Sequence, residues 1–486
     1  MGTADVSGDS DSGRPTFTAN LRHAAASDTR RLRHEPVTSR RVLAVVFAIM
    51  LAWSLGCART TPVPRSHAAE PASEPATKLP FIEDNFAKAK AEAERTGRPL
   101  FVDAWAPWCH TCLSMRAGTL EDRELLRARV PSGKPLRDAF VWLSIDTEKP
   151  ENAAFVARFP NRVWPTLYVL SPDGENVRLS WGGSASPQEL IELLADIEGG
   201  AERSRFAEGV AHMASGRNAE ATRVMEALAE DPRAPVGARA RAVEALVTLR
   251  EKDHEGLVLL AKRHLAWMPP SSSRAAVLAA SLSALDALRT SDAMLVATAT
   301  KDAGDPAATY VPDDRSGLFE ALVSHHATLG RDDAKVECAS RWAVFLAKTA
   351  AAAATKAERF VYDAHRLLAA EVLGQVGAVL PVLEASARDF PNDGNAHARV
   401  AKALSLLGRE TEALAAARRA ADLLQGPRAL RAATLLADVL ERAKRRGEAA
   451  DALDAALKKV EGLPLTASQK RLADSCRARS KSLRTP

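Results

Sequence analysis

The period of the apolar positions changes along the chain, and the changes divide it. From Val42 to Gly56 the residues carry no charge, behind Arg40 and Arg41 and in front of Cys57. That run falls short of the ~20 apolar residues a membrane-spanning helix needs. A basic start, a short apolar core and a small closing residue instead read as a secretory signal. Residues 58–78 are rich in Pro, Ala and Ser with no apolar period, and read as an extended spacer. Between 79 and 200 short apolar runs alternate with amphipathic ones. A helix is predicted from Phe86 to Arg95, ended by Gly97, then a buried strand over Leu100–Trp105. A second helix begins at a cysteine pair and runs through Met115; a strand follows over Phe140–Asp146, then a further helix. Strands at Thr166–Leu170 and Val177–Trp181 flank the turn Ser171-Pro172-Asp173-Gly174. Ser186 and Pro187 are suited to the cap and first turn of a last helix.

From residue 201 the pattern is helical throughout, alanine-rich, with apolar residues at spacings of three and four. Gly216, Gly330, Gly408 and Gly447 read as hairpin markers. Their separations of 114, 78 and 39 residues approximate three, two and one units of about 38, the trace of a helical repeat. The expected organisation is therefore 1–57 polar tail and signal, 58–78 spacer, 79–200 mixed domain and 201–486 helical array.

Composition supports this division. A chain of 486 residues suggests two or three domains, and 46% hydrophobic with 26% charged residues suits soluble globular protein. The net charge of +5 is spread over 66 basic and 61 acidic residues, and no Lys/Arg block interleaves with aromatics. Nucleic-acid binding is not expected. Five cysteines are too few for a disulfide-dense scaffold. Only Cys109 and Cys112 lie close together, so the chemistry is sought there.

A strand running into C-x-x-C at the start of a helix suits thiol–disulfide exchange. The thiolate is the attacking species, and the unpaired N–H groups and positive dipole end of a helix N-terminus favour it. Cys109 occupies that place and is assigned the attack. Cys112, one turn further on the same face, is assigned the resolving role. His110 adds an adjacent partly cationic group. Two plainer readings stand beside this one. A zinc half-site would need two more ligands at short spacing, and none follow; a static structural disulfide is the other. No metal or cofactor is expected. Cys338 and Cys476 read as small buried apolar residues. His325 and His326 point apart on a helix and make no ligand set.

The segment Phe101-Val102-Asp103-Ala104-Trp105-Ala106-Pro107-Trp108-Cys109-His110-Thr111-Cys112 is similar to the active-site stretch of thioredoxins. Val163-Trp164-Pro165-Thr166-Leu167 resembles their cis-proline loop. Trp108-Cys109-His110-x-Cys112-x-x-Met115, with Asp122-x-x-Leu125 after it, most resembles the branch containing the C-terminal reductase domains of transmembrane thiol:disulfide interchange proteins. The resemblance implies an α/β thioredoxin fold, a mixed central sheet flanked by helices. It implies that Asp103 is a buried carboxyl exchanging a proton with Cys112; an Asp turned to solvent at a strand edge is the alternative. It implies a cis Pro165 against the disulfide, with Trp108, His110, Trp164, Pro165 and Thr166 meeting the substrate. Trp164 is bulkier than the residue usual there, which implies a narrowed or aromatic-walled groove.

Trp53-Ser54-Leu55-Gly56-Cys57 resembles a bacterial lipobox, with Ser54 and Leu55 in reversed order. This implies lipidation at Cys57 and a membrane-anchored protein facing the periplasm; a short uncleaved N-terminal membrane anchor is the alternative. Gly209, Gly216, Ala221 and Pro232, and later Gly408, Ala413 and Ala420, fall near tetratricopeptide consensus positions. They imply a tetratricopeptide-like solenoid with a groove for a protein partner. The combined expectation is an envelope-facing thiol:disulfide oxidoreductase that reduces disulfide-containing exported proteins. Its electrons would come from an upstream membrane donor protein. The alternative is a scaffold in which the helical array is the working part.

Overall fold

The computed structural model describes residues 78–485, with the exception of 162, 200–203, 464 and 466. The signal segment, Cys57 and all but the last residue of the spacer lie outside the described residues.

The sheet has five strands in the order β1-β3-β2-β4-β5: β1 (Ile82–Glu83), β2 (Leu100–Trp105), β3 (Val141–Asp146), β4 (Thr166–Leu170) and β5 (Val177–Gly182). β1 and β2 run parallel to β3; β4 runs antiparallel to β2 and to β5. Helices α1 (Phe86–Thr96), α2 (His110–Ala117), α3 (Arg123–Arg127), α4 (Leu136–Ala139), α5 (Ala153–Arg158) and α6 (Pro187–Gly199) complete this part. β2 lies in the middle and both its faces are covered, which explains its nearly unbroken apolar sequence. Leu100, Val102 and Ala104 pack with Ala89, Ala93 and Phe155 of α1 and α5. Phe101 belongs to the opposite layer, with Met115 of α2 and Leu190, Leu193 and Leu194 of α6. Asp103, two residues on, shares the Phe101 face by the strand's period of two. β1 was not anticipated from the pattern; at two residues it is too short to show alternation.

Beyond α6 the described chain is helical. The helices are α7 (Arg205–Ala214), α8 (Asn218–Glu230), α9 (Val236–Leu249), α10 (His254–His264), α11 (Ser272–Ala287) and α12 (Ala293–Gly304). They continue as α13 (Pro312–Thr328), α14 (Asp332–Ala352), α15 (Lys356–Val361), α16 (Asp363–Val372), α17 (Val376–Asp389) and α18 (Gly394–Leu406). The last are α19 (Glu410–Leu423), α20 (Arg428–Arg442), α21 (Arg446–Lys459) and α22 (Ala467–Arg484). None of the described helices is long and apolar enough to cross a membrane. Ala221, Ala413 and Ala420 are fully buried, where a small side chain lets helices approach closely.

One of the expected hairpin markers is corrected. Gly216, Gly330 and Gly408 do turn with positive φ, but Gly447 lies inside α21. The left-handed residue of that hairpin is Lys444, and Gly374 supplies another. From Gly330 the left-handed residues Gly374, Gly408 and Lys444 follow at gaps of 44, 34 and 36 residues, a mean of 38, so the unit read from the sequence holds on average while single units vary. Glycine alone was a misleading marker because a lysine takes the left-handed place at φ 59°.

The helical region packs on the sheet domain through ionic contacts. Arg241 of α9, 2% exposed, donates to Glu192 at 2.6 Å and Asp196 at 2.7 Å, both on α6. Glu189 of α6 accepts the Ser272 and Ser273 amides at 2.9 Å each, placing a carboxylate on the N-terminus of α11. Burial works against that charge, but the amides and Ser186 outweigh it and hold Glu189 below its ordinary range. Glu189→Gln is therefore expected to destabilise the folded chain by about 1.5–3 kcal/mol, the worth of hydrogen bonds to a charged group. Urea midpoints measure this; a loss under about 0.5 kcal/mol would mean that the anchor contributes nothing specific.

Candidate active site

β2 delivers the chain to Ala106, and the Cys109 amide donates back to the Ala106 carbonyl at 3.0 Å. This turn sets Cys109 as the N-cap of α2, and its Sγ accepts the Cys112 N–H at 3.0 Å. Cys109 and Cys112 are joined as a disulfide. Cys109 keeps 5% of its surface and Cys112 none, so the inner cysteine is shielded by the outer one. A single buried cluster contains both with Ala106, flanked by Trp105, Trp108 and Trp164.

The Trp164–Pro165 peptide is cis, and Pro165 is buried at the entry to β4. The Trp108 and Trp164 rings pack at 5.3 Å, and Trp164 Nε1 donates to Thr147 Oγ1 at 2.8 Å. Thr166 is buried, its hydroxyl donating to the Val163 carbonyl at 2.7 Å. Asp122 caps α3 by accepting the Glu124 amide at 2.7 Å, and Leu125 is fully buried.

Asp103 is fully buried in the middle of the sheet, which removes the solvent-facing alternative. Burial pushes its carboxyl up to about 6, against the pull of Arg116. Arg116 Nη1 lies 3.2 Å from Oδ2, also donates to Ser144 at 2.6 Å, and its guanidinium covers the Trp105 ring at 4.3 Å. Oδ1 has no hydrogen-bond partner among the described residues. Such a carboxyl holds or releases a proton near neutral pH. Because its folded value lies above the unfolded one, the folded chain binds the extra proton between about pH 4 and 6. Stability from the neutral carboxyl is full below that window and is lost as pH rises through it. The stability of wild type relative to Asp103→Asn is thus expected to fall between pH 4 and 7. Parallel pH profiles of the urea midpoints would disprove that assignment.

The helical region covers this site, which the sequence did not reveal. His110 Nδ1 lies 2.9 Å from Asp313 Oδ1 of α13 and 3.1 Å from His365 Nε2 of α16. Burial disfavours charge on His110, but Asp313 outweighs it and pushes the imidazole up to about 9. His110 is therefore paired with a buried carboxylate of the helical region, a partner that no local pattern beside Cys109 indicated. Arg431 of α20 lies over the Trp108 ring at 4.2 Å. Arg428, also on α20, faces Asp146 at 3.6 Å and Glu148 at 4.0 Å. Burial raises both of those carboxyls. The surface expected to meet a substrate through Trp108 and His110 is thus in contact with the chain's own helices.

Asp313, His365, Arg428 and Arg431 had no local signal, since each stands more than 200 positions from Cys109 in a region read only for its helical period. Arg116 was missed although it lies on α2; a cation seven residues after Cys109 returns to the same helical face after two turns. Cys338 and Cys476 are buried and free, and burial pushes the Cys338 thiol up to about 12. His325 is buried against Asp286 at 2.6 Å.

Residues 86–198 match the family model described as a thioredoxin-like domain. No curated protein matches the chain.

Proposed function

We propose that the thioredoxin-like domain at residues 86–198 makes this chain a protein thiol:disulfide oxidoreductase that reduces disulfides of exported proteins. The observation that carries the reading is the Cys109–Cys112 disulfide at the N-terminus of α2, with the Cys112 amide aimed at Cys109 Sγ. Cis Pro165 and buried Asp103 support it. In the dithiol form Cys109 attacks as the thiolate, since the helix N-terminus and the Cys112 amide stabilise the negative sulfur. A Cys109–substrate disulfide forms, and the displaced substrate sulfur leaves as a thiolate that takes a proton from solvent. Asp103, as carboxylate, accepts the Cys112 proton directly or through a water. Cys112 then attacks Cys109 Sγ, the second substrate sulfur leaves, and the intramolecular disulfide results. A dithiol donor returns the pair to its reduced form, its own sulfurs becoming the disulfide. The Trp108-Cys109-His110-x-Cys112 resemblance favours the reducing direction. The apolar segment before Cys57 supports an envelope-facing, lipid-anchored placement, with electrons from a membrane dithiol protein.

The near-complete burial of Cys109 favours a second reading, in which the pair is static and the helical region is the working part. Reduction of insulin by the full-length chain with dithiothreitol separates the two. Turnover above the dithiothreitol background supports the enzyme; wild type at background supports the scaffold.

A further inference from the structure

We propose that His110, Asp313 and His365 form a binding site for one divalent transition-metal ion of the zinc class, bridging α2 to α13 and α16. Three donor atoms converge on one point: His110 Nδ1, Asp313 Oδ1 and His365 Nε2, at mutual distances of 2.9, 3.1 and 3.3 Å. Donors held by a tetrahedral zinc at ~2.0–2.1 Å stand about 3.3 Å apart, so the triangle already has nearly the size of one face of that tetrahedron.

Protons alone satisfy this triangle poorly. If both imidazoles donate to Asp313, two hydrogen-bearing nitrogens face each other at 3.1 Å. If His365 Nε2 carries no proton, the single His110 Nδ1–H is shared between Asp313 Oδ1 at 2.9 Å and His365 Nε2 at 3.1 Å, while those two acceptors face each other at 3.3 Å. One cation at the centre turns all three lone pairs into attractive contacts. Its surroundings fit as well. Glu320 Oε2 lies 3.5 Å from His365 Nδ1, the nitrogen turned away from the triangle. A carboxylate there favours the Nδ1–H tautomer and leaves Nε2 as the ligand, the arrangement common behind metal-bound histidines. Asp313 and His365 are buried, whereas His110 keeps 34% of its side chain exposed. That open side gives an ion a path in and leaves the fourth position to water. Two imidazoles and one carboxylate suit Zn²⁺ better than Ca²⁺ or Mg²⁺, which take oxygen donors.

The test uses the purified full-length chain, untagged, stripped with a chelator and kept in the disulfide form so that neither Cys109 nor Cys112 binds metal. Titration with Co²⁺ should give one ion per chain with the visible absorption of a four-coordinate site, displaced by Zn²⁺. Asp313→Asn and His365→Ala should abolish it, and His325→Ala should not. Glu320→Gln should weaken binding about 10- to 100-fold, as loss of an outer carboxylate does. Because Asp313 and His365 are buried, so that their variants also bear on the fold, His110→Gln on the open side is the independent variant. Its circular dichroism should match wild type while Co²⁺ uptake is lost. Wild type that takes up neither metal, or His110→Gln that binds as wild type does, would overturn the site. The readout is the metal itself in the oxidised chain, so it stands or falls apart from reductase turnover.

Discussion

Cys109→Ser should bring insulin reduction down to the dithiothreitol background, the largest effect expected of any single substitution. A serine hydroxyl at the same N-cap would still accept the Cys112 amide, so fold and cap are kept while the nucleophile is lost. Cys112→Ser should behave differently. It retains the attacking sulfur but cannot resolve, and mixed disulfides with substrates should accumulate on Cys109. The pair of outcomes is diagnostic: a static disulfide would yield neither loss nor trapping. The proteins captured, recovered from the native host under acid quench, would identify the substrates, and their redox state would give the direction of electron flow. Cys338 and Cys476 are buried and should not contribute adducts.

The second large effect concerns access to that sulfur. Cys109 has 5% of its surface exposed, and its neighbours His110 and Trp108 meet His365 and Arg431 of the helical region, with Arg428 on Asp146. A protein disulfide is therefore expected to reach Sγ more readily when those helices withdraw from Trp108 and His110. Removing Arg428 leaves Asp146 and Glu148 without that cation in buried positions, and removing Arg431 uncovers the Trp108 ring. Every 1.4 kcal/mol lost from the closed arrangement raises the open fraction about ten-fold. The double variant Arg428→Ala/Arg431→Ala should thus speed alkylation of reduced Cys109 by a bulky maleimide about ten-fold or more. Iodoacetamide, being small, should gain less. Equal rates in wild type and variant would show that the helices do not limit entry.

How much of this was legible in the sequence depends on the range of the interactions involved. β2, β4 and the start of α2 were read nearly to the residue because each is a local pattern. The strands are apolar runs closed by Pro or Gly, and the helix begins at an N-cap cysteine whose sulfur meets an amide three residues on. Asp103 stood out as a carboxyl within an apolar run; that it pairs with Arg116 was not visible, because the contact depends on how α2 lies across the sheet. The last hairpin marker was misplaced because glycine is only the commonest residue in the left-handed turn, and Lys444 takes that place without it.

The amino-acid sequence by itself determined the longer elements, the thioredoxin-like domain and the pair of sulfurs on which its chemistry rests. Only the tertiary structure decided the surroundings of those sulfurs. His110 meets Asp313 and His365 across 203 and 255 positions of chain, and Trp108 meets Arg431 across a longer span still. Local propensity and periodicity specify which side of a helix is apolar. They do not specify which distant helix brings its acid or its imidazole to the active-site turn; that follows from how the successive helices pack on one another and on the sheet.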